Sequence, residues 1–450
     1  MSAGLGARRV LPFSFVVLAA ACAGGGGLRV SDITPEQIPE YEAQRDMRPQ
    51  DAVAVARLGV GYFKAGRWAD ARAALDSAVA HDPQNGLAAI YLGMTTEEQG
   101  DFPAARAAYE HYVEIGRSSD LRTVARQRLS LVGRRELEYQ ARQALAEEAT
   151  LSQQPPEANT VAVMPFSYTG VNEQIQPLTR GLAQLVITDL AKSRQVRVLE
   201  RERMQTMLEE MRLSAEGRAD PQSAVRSGRL LRAARVVQGS LAERGDQLRV
   251  DAAVVDVGTA GVTASAGTQD QLNRLFDLEK ELVLSIFNNL GIQLTDAERE
   301  AINQRPTANL QAGLAYSRGL EAEDRGDFLQ AQQFFNQATQ LDPGFQAAAQ
   351  SASQASDLGV AATQTTTDVE ATVVQNEAEE APGGAPTETG GAVNNATNAV
   401  NGTTTTELVQ ATQTVGGSTI ASGSRDNTAE TTRSEGTRTT GTVVIIIRRP

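Results

Sequence analysis

The stretch VARLGVGYFKAGRWADARAALDSAVAHDP, residues 55–83, is followed 34 residues later by a second copy of its pattern, AIYLGMTTEEQGDFPAARAAYEHYVEIGR, residues 89–117. Small residues recur at fixed positions in both copies, which lets two antiparallel helices approach closely, and Pro83 ends the second helix. The aligned pairs are Leu58 with Leu92, Gly59 with Gly93, Gly66 with Gly100, Trp68 with Phe102, Ala71 with Ala105, and Leu75 with Tyr109. The period therefore predicts two helical hairpins over residues 50–117.

A third copy, AYSRGLEAEDRGDFLQAQQFFNQATQLDP at 315–343, predicts one more hairpin over residues 305–350. Its residues in phase with the first copy are Gly319, Gly326, Ala331, Phe335, Ala338 and Pro343. The pattern resembles the tetratricopeptide repeat, and the resemblance implies hairpins whose groove binds protein partners. A generic helical bundle is the alternative. The partner-binding residues implied by the resemblance are Leu58, Tyr62, Trp68, Leu75, Tyr91, Phe102 and Tyr109.

Residues 118–153 are rich in arginine, carry spaced apolar residues and contain no proline. Two repeats alone bury too little surface for a stable stack, so this segment is expected to supply one or two capping helices and then a linker. Its arginines are expected to form a basic, solvated outer face. A contact with lipid headgroups is the alternative.

After Pro155 and Pro156 the apolar pattern changes from helical to alternating. TVAVMPF (160–166) and QVRVLE (195–200) predict strands, and the segment 175–193 between them has a helical leucine stripe, which together indicate a βαβ unit. Two helices, three strands and a long helix ending at Gly291 are expected to follow. The predicted α/β domain covers residues 158–303.

This domain resembles the CsgG/HfaB family, whose founding member is the curli secretion lipoprotein of the outer membrane, and the related FlgO and TolB amino-terminal folds. The resemblance rests on VAVMPF, RGLAQLVITDLAKSRQVRVLERERMQTMLEEM, GRLLRAARVVQGSL, LRVDAAVVDVGTAGV and LGIQLTDAERE. The residues taken as the family motif are Glu200, Arg201, Arg203, Gly228 and Gly239. Arg201 and Arg203 are expected to be surface charges or contacts between subunits, since no glycine-rich phosphate cradle accompanies them.

The resemblance raises the question of a membrane channel. A channel of the curli type needs amphipathic membrane hairpins, with about 9–11 alternating residues per strand and aromatic girdles. Between Val198 and Leu272 the turns are short and aromatic residues are absent. A docking module is therefore expected, and an edge of the sheet is expected to accept a partner's strand.

The amino-terminal stretch VVLAAACAGGGG, residues 16–27, holds Cys22, the one cysteine of the chain. Arg8 and Arg9, a short apolar run and small residues before the cysteine are typical of a cleavable export signal over residues 1–21. The pattern resembles the lipobox of bacterial lipoproteins, which implies lipidation of Cys22 and a tether over 22–49. An ordinary signal with an incidental cysteine is the alternative. Ala23 next to the cysteine favours the outer membrane.

Composition narrows the function classes further. The formal net charge of −13 leaves no basic face for a nucleic acid, and one cysteine makes no internal disulfide. His81 and His111 have no clustered ligands or nucleophiles near them in sequence. The chain is therefore expected to have no metal, no cofactor and no enzymatic activity.

Residues 351–440 are dominated by Thr, Ala, Gly, Asn, Ser and Glu and are expected to be disordered. The last segment, 441–450 with sequence GTVVIIIRRP, predicts a strand that pairs with a sheet edge; a partner-docking or membrane-contacting end is the alternative. The predicted fold class is multidomain α+β: helical repeat hairpins, an α/β sandwich domain and a long disordered tail.

These observations predict an outer-membrane, lipid-anchored scaffold that faces the periplasm. It would bind envelope proteins through the repeat groove and the sheet edge in curli-like assembly or secretion, and is a possible homo-oligomer. The alternatives are an oligomeric pore subunit and a domain that binds a small ligand.

Overall fold

A computed structural model describes residues 29–212, 220–244 and 247–380 of the 450-residue chain. The first part is helical: α1 Ile38–Met47, α2 Ala52–Lys64, α3 Trp68–His81, α4 Gly86–Glu98, α5 Phe102–Ile115, α6 Ser119–Ala146 and the short α7 Glu148–Leu151. Helices α2 to α5 form the two hairpins that the 34-residue period predicts. Polar residues cap the starts of several of these helices. At the start of α2, the Asp51 carboxylate accepts hydrogen bonds from the backbone N–H groups of Val53 and Ala54.

The hairpins depend on glycines at the contact between paired helices. A Cβ on Gly59 would lie 2.6 Å from the side chain of Leu75, and one on Gly93 would lie 2.7 Å from the ring of Tyr109. These distances are too short for any residue with a side chain. The same contact recurs in the third repeat, and the aligned positions of the sequence are therefore aligned in space.

The segment expected to be a tether, residues 22–49, is folded from Val30 onward, and this part of the prediction is wrong. A 3₁₀ helix spans Val30–Asp32 and α1 follows it. Ile33, Ile38 and Tyr41 are buried in the core of the repeats. The connector thus supplies the apolar surface that covers the first hairpin. Cys22 and the signal segment lie outside the described residues.

Helix α6 is a single helix of 28 residues that belongs to two cores. Leu121, Val124 and Val132 of its first part pack into the repeats. Ala141, near its end, packs against the α/β domain. The helix therefore joins the two modules through shared apolar packing.

The α/β domain is built on one mixed sheet with the strand order β3-β1-β4-β5-β6. Its strands are β1 Glu157–Val163, β2 Ser167–Thr169, β3 Arg197–Val198, β4 Ala233–Arg244, β5 Gln247–Asp256 and β6 Gly261–Gln271. β1 is parallel to β3 and β4, whereas β4, β5 and β6 are antiparallel. The short β2 pairs with the far end of β4. The predicted βαβ unit is present, although β3 is only two residues long because a helix begins at Arg201.

Helices cover both faces of this sheet: α8 Leu178–Leu190, α9 Arg201–Glu210, α10 Pro221–Leu230, α11 Leu275–Asn289 and α12 Asp296–Asn303. α8 and α11 bury one face, and α9 and α10 bury the other together with the end of α6. The domain is thus a three-layer α/β sandwich, and the predicted fold class is confirmed.

The third repeat is formed by α13 Leu310–Asp324 and α14 Phe328–Leu341, and the chain continues as α15 Gln346–Thr363 and α16 Thr366–Glu380. The expectation of disorder from residue 351 onward is therefore wrong for residues 351–380. Ala352, Ala355, Val360, Val369 and Val373 are all buried. Small apolar side chains at helical spacing bury enough surface here because α6 and the repeat helices pack against them. The expected disorder of 381–440 and the strand at 441–450 lie outside the described residues.

No helix of the described ranges combines the length and the apolar character needed to cross a membrane. In the same ranges, no three or more His, Cys, Asp or Glu side chains gather in a way that could hold a metal ion.

One acid is buried inside the α/β domain without hydrogen-bond partners. Glu279 of α11 has no exposed surface, and its oxygens accept no hydrogen bond, although Lys280 Nζ lies 3.0 Å from Oε2. The same lysine Nζ lies 2.5 Å from the Asp189 carboxylate of α8. Burial, reinforced by the charge of Asp189, raises the pKa of Glu279 from 4.5 to about 8.

This shift predicts a pH-dependent stability. The folded chain keeps a proton on Glu279 that the unfolded chain releases, so this group's contribution to stability is lost as pH rises from about 4.5 to about 8. The native chain should therefore lose stability from pH 5 to pH 8 through this group, and Glu279→Gln should not. In urea unfolding, the free energy of unfolding of Glu279→Gln should rise relative to that of the native chain by about 1–3 kcal/mol as the pH goes from 5 to 8. Glu281→Gln, at an exposed site on the same helix, is the control. An identical pH dependence in Glu279→Gln and the native chain would contradict the assignment.

Candidate partner-binding groove

One side of the amino-terminal repeats holds a helix from the other end of the described chain. Helix α16 packs against α4, α6 and the 3₁₀ helix Val30–Asp32. The groove is thus formed by elements that lie within residues 30–146, and its occupant begins at Thr366. We call this surface the repeat groove.

Two valines supply the apolar part of the contact. Val369 and Val373 of α16 are 1% and 0% exposed and belong to the core of the repeats, and Val374 packs at its edge. These residues are one turn apart, so they lie on one face of the helix. Burying a valine side chain contributes about 1.5–3 kcal/mol, so the apolar contact holds α16 by a few kcal/mol.

Acidic side chains of α16 meet donors of the groove. The Glu370 carboxylate accepts a hydrogen bond of 3.2 Å from the Tyr91 hydroxyl and lies 3.7 Å from Lys64 Nζ. The Glu377 carboxylate accepts a hydrogen bond of 2.5 Å from the backbone N–H of Val30. Burial, and then the charge of Glu370, raises the pKa of Tyr91 well above its usual value. The phenol therefore stays protonated and keeps its role as a donor.

Two more polar contacts fix the position of α16. Ser118 at the start of α6 donates a hydrogen bond of 3.2 Å to the side-chain oxygen of Asn376. Thr366 at the start of α16 donates one of 2.5 Å to Glu98. The helix is thus bound at both ends as well as along its apolar face.

A buried ion pair lies beside the groove. The Glu97 carboxylate of α4 accepts two hydrogen bonds from Arg128 of α6, and both side chains are 2% exposed. Tyr109 donates to Glu97 at 2.9 Å, and Arg135 lies 2.9 Å from it. Arg128 Nη1 also donates to the backbone carbonyl of Gln364, at 2.9 Å. This arginine therefore binds the corner between α15 and α16 to the repeats.

The expected solvated arginine face of residues 118–153 is wrong at Arg128. Its guanidinium is fully enclosed because α15 and α16 cover this side of α6, which no pattern local to the arginine-rich segment indicates. Arg126 on the same helix is exposed, as expected.

Most of the predicted partner-binding side chains lie in the core of the repeats. Leu58, Leu75 and Tyr109 have no exposed surface, and the correction is that they hold paired helices together instead of lining the groove. Trp68 packs edge-on against Phe63, with ring centroids 5.2 Å apart, and Phe102 packs against Tyr139 of α6. Tyr62 is buried and donates to Glu42. Of the seven, Tyr91 donates a hydrogen bond to Glu370 of α16.

The family-motif residue Arg201 is buried, which corrects the expectation of a surface charge. It is 6% exposed and forms ion pairs with Glu323 and Asp324 at the end of α13. Arg180 of α8 lies 2.9 Å from Asp324. Burial is the largest influence on Glu323 and raises its pKa to about 7 despite the nearby Arg201. The motif therefore joins the α/β domain to the third repeat within one chain.

The other motif residues have structural positions. Glu200 is the exposed N-cap residue of α9, and Arg203 is half-buried. A Cβ on Gly228 would lie 2.5 Å from Val257, and one on Gly239 would lie 2.7 Å from the Phe166 ring. Both glycines permit close packing between helix or ring and sheet.

Sequence reasoning missed the residues that make the groove specific: Lys64, Glu97, Arg128, Glu370 and Glu377. One signal was present in the chain, since TTDVEATVVQNEAEE, residues 366–380, has valines at helical spacing inside a segment otherwise poor in large apolar residues. Its partner lies more than 200 residues away in sequence, and only the tertiary structure brings the two together.

Comparison with known proteins gives the following likenesses. No curated protein matches the chain. The LpoB C-terminal domain from Salmonella enterica is 12% identical, over 28% of this chain and 94% of that one, with a TM-score of 0.21. Yeast Tom70 is 14% identical, over 76% of this chain and 66% of that one, with a TM-score of 0.22. A tetratricopeptide repeat protein from Parabacteroides merdae is 12% identical, over 72% and 91%, with a TM-score of 0.16. At such TM-scores these likenesses carry no argument about function.

The matches to sequence families are local and agree with the modules of the fold. Residues 57–120 match the tetratricopeptide repeat, a range that starts inside α2, contains α3 to α5 and ends at the start of α6. Residues 142–243 match the family described as "Curli production assembly/transport component CsgG". This second match starts in α6 and ends in β4, so it is shorter than the expected 158–303, although the sheet continues through β5 and β6. The chain therefore combines a segment similar to the CsgG family with tetratricopeptide repeats.

Proposed function

We propose that the protein is a lipid-anchored scaffold of the bacterial outer membrane that faces the periplasm and binds protein partners in curli-like assembly or secretion. The observation that carries this proposal is the seating of α16 in the repeat groove, because it gives an example of a polypeptide helix held there by apolar and polar contacts. The match of residues 142–243 to a curli assembly and transport component supports the envelope setting. The proposal includes no catalytic step, no metal and no cofactor.

The contacts of the sheet support a scaffold over a channel subunit. β4 pairs with β5, and β5 with β6, within the domain's own sheet. One face of these strands is buried under α8 and α11. The described hairpins therefore already pack against helices of their own domain, whereas the hairpins of a membrane barrel would face lipid.

The anchor is tested by replacing the cysteine. Cys22→Ser is expected to abolish incorporation of labelled fatty acid and to move the protein from the membrane fraction to the soluble periplasmic fraction, because acyl chains contribute about 0.8 kcal/mol per buried methylene. Ser14→Ala, a change elsewhere in the export signal, is the control and should keep both properties. Membrane retention of an unlabelled Cys22→Ser protein would contradict the proposed anchor.

The scaffold role is tested by crosslinking in cells. A photoreactive residue at Gln375, on the exposed face of α16, and one at Lys64, inside the repeat groove, report the surroundings of the groove from both sides. Crosslinks to one or more envelope proteins are expected, with Tyr139 as a surface position outside the groove for comparison. Crosslinks to lipid alone would contradict the scaffold, and a ring of many copies that survives detergent would favour the pore.

A further inference from the structure

We propose that the repeat groove recognises an acidic amphipathic helix on a partner protein, and that α16 occupies the site of this helix within the free chain. The proposal rests on the proposed scaffold function and names the class of its partner. The recognised pattern is that of α16 itself: Val369, Glu370, Val373 and Glu377.

The spacing of these residues selects a helix. Positions 369, 370, 373 and 377 lie on one face at intervals of one, four and eight residues from the first valine. The opposite face of α16 carries Thr367, Ala371 and Gln375, which are exposed. A ligand of the groove therefore needs valine-sized residues four apart and a carboxylate next to the first of them, while its other face is free to vary.

The charge of the groove selects acidic ligands. Toward α16 the groove presents the Tyr91 hydroxyl, which donates to Glu370, and the Val30 backbone N–H, which donates to Glu377. The Lys64 ammonium donates to the carbonyls of Val30 and Ile33 and lies 3.7 Å from the Glu370 carboxylate, so it adds positive charge beside that acid. Arg29 lies at the rim, 4.0 Å from Glu377. The chain as a whole has a net charge of −13, so a surface that gathers hydrogen-bond donors and positive charge differs from the rest of the protein. Such a surface favours a ligand that carries carboxylates, as α16 does.

The arrangement allows α16 to be exchanged. Arg128 binds the carbonyls of Ala361 and Gln364, so the corner before α16 stays in place when the helix leaves. α16 contacts the groove through the face that carries Val369 and Val373, whereas Ala371 and Gln375 on its other face are exposed. A partner helix can therefore replace it without unfolding α15 or the repeats.

Tethering determines the size of the effect. A segment on a short flexible connection has an effective concentration of the order of 1 mM. If the same helix binds as a free peptide with a dissociation constant of about 10 µM, the ratio of native chains with α16 in the groove to native chains with α16 released is about 100. A free ligand then binds the native chain about 100-fold more weakly than a chain whose α16 is released.

The experiment uses the full-length chain in mild detergent and a fluorescein-labelled synthetic peptide of residues 365–380, followed by fluorescence anisotropy. Val369→Asp/Val373→Asp releases α16, because each change places a charge in an apolar contact. Ala371→Asp is the matched control on the exposed face of the same helix. Glu370→Lys/Glu377→Lys is a second releasing variant that keeps both valines, so the test survives if the first fails to fold.

We expect the peptide to bind either releasing variant about 100-fold more tightly than the native chain or Ala371→Asp. A peptide with both glutamates replaced by alanine should lose at least about 10-fold, because two charge-assisted contacts disappear. Equal binding to native and released chains, or no binding to both released chains, would overturn the proposal. A native dimer that the releasing variants abolish would also overturn it, because the occupant would then be the helix of a second copy. The scaffold function is tested separately: crosslinks to envelope proteins in cells would support it whether or not the peptide binds the groove.

Discussion

Arg128→Met is expected to lower the free energy of unfolding by about 3–5 kcal/mol, because it leaves the Glu97 carboxylate buried without its principal cation. Arg135 and the Tyr109 hydroxyl still contact Glu97, but Arg135 is 44% exposed and its attraction is screened by water. The carbonyls of Ala361 and Gln364 lose their donor in the same substitution. The variant therefore weakens both the repeat core and the corner that positions α16.

The measurement is urea unfolding of the native chain, the single variants Arg128→Met and Glu97→Met, and the double variant Glu97→Met/Arg128→Met. The double variant should recover much of the loss, because it removes both buried charges together. Arg126→Met, at an exposed position of the same helix, should stay within about 0.5 kcal/mol of the native chain. A double variant as unstable as the sum of its single variants would show that the pair is not coupled, and would contradict the reading of Arg128 as the partner of Glu97.

Arg201→Met is expected to cost a similar amount, about 3–5 kcal/mol at pH 8, because Glu323 and Asp324 then lie side by side without the guanidinium between the α/β domain and the third repeat. Arg180 continues to pair with Asp324, so Glu323 becomes the uncompensated group. Its pKa is already raised from 4.5 to about 7 by burial, and losing Arg201 raises it further.

The sign of the pH dependence follows from this shift. With a folded-state pKa above the unfolded value, Glu323 binds more protons in the folded chain, so its contribution is fully present below about pH 4.5 and is lost as pH rises through about 7. The cost of Arg201→Met should therefore be smaller at pH 5 than at pH 8 in urea unfolding. Arg203→Met, two residues along the same helix, is the comparison and should show no such trend. An equal loss at both pH values would mean that Arg201 acts through packing alone.

The repeats were predictable because their determinants are local in sequence. Gly59 and Gly93 recur with a fixed period, and each has to be a glycine because a side chain from the paired helix of the same hairpin lies against it. The β-α-β order of the second module was predictable for a similar reason, since apolar alternation and helical stripes are read within one element. The tether prediction failed at Ile33 and Tyr41, where a polar connector carries a few apolar residues that only a folded neighbour can bury.

The residues of the candidate groove were not predictable from such patterns. Arg128 belongs to an arginine-rich helix and has the same local sequence signature as its exposed neighbour Arg126. Its burial results from Gln364 and the helices around it, which come from a segment with a composition typical of disorder. Arg201 likewise has its partners in Glu323 and Asp324, more than 100 residues away.

By itself the sequence determined the repeat period, the order of the longer strands and helices of the α/β domain without the short β2, and the acidic balance of the chain, because these depend on spacing and composition within short windows. The tertiary structure decided which charges are buried and what fills the repeat groove. A charge is stable in a core only where a partner of opposite sign is brought to hydrogen-bond distance, and for Glu97 and Arg201 that partner comes from another element of the fold.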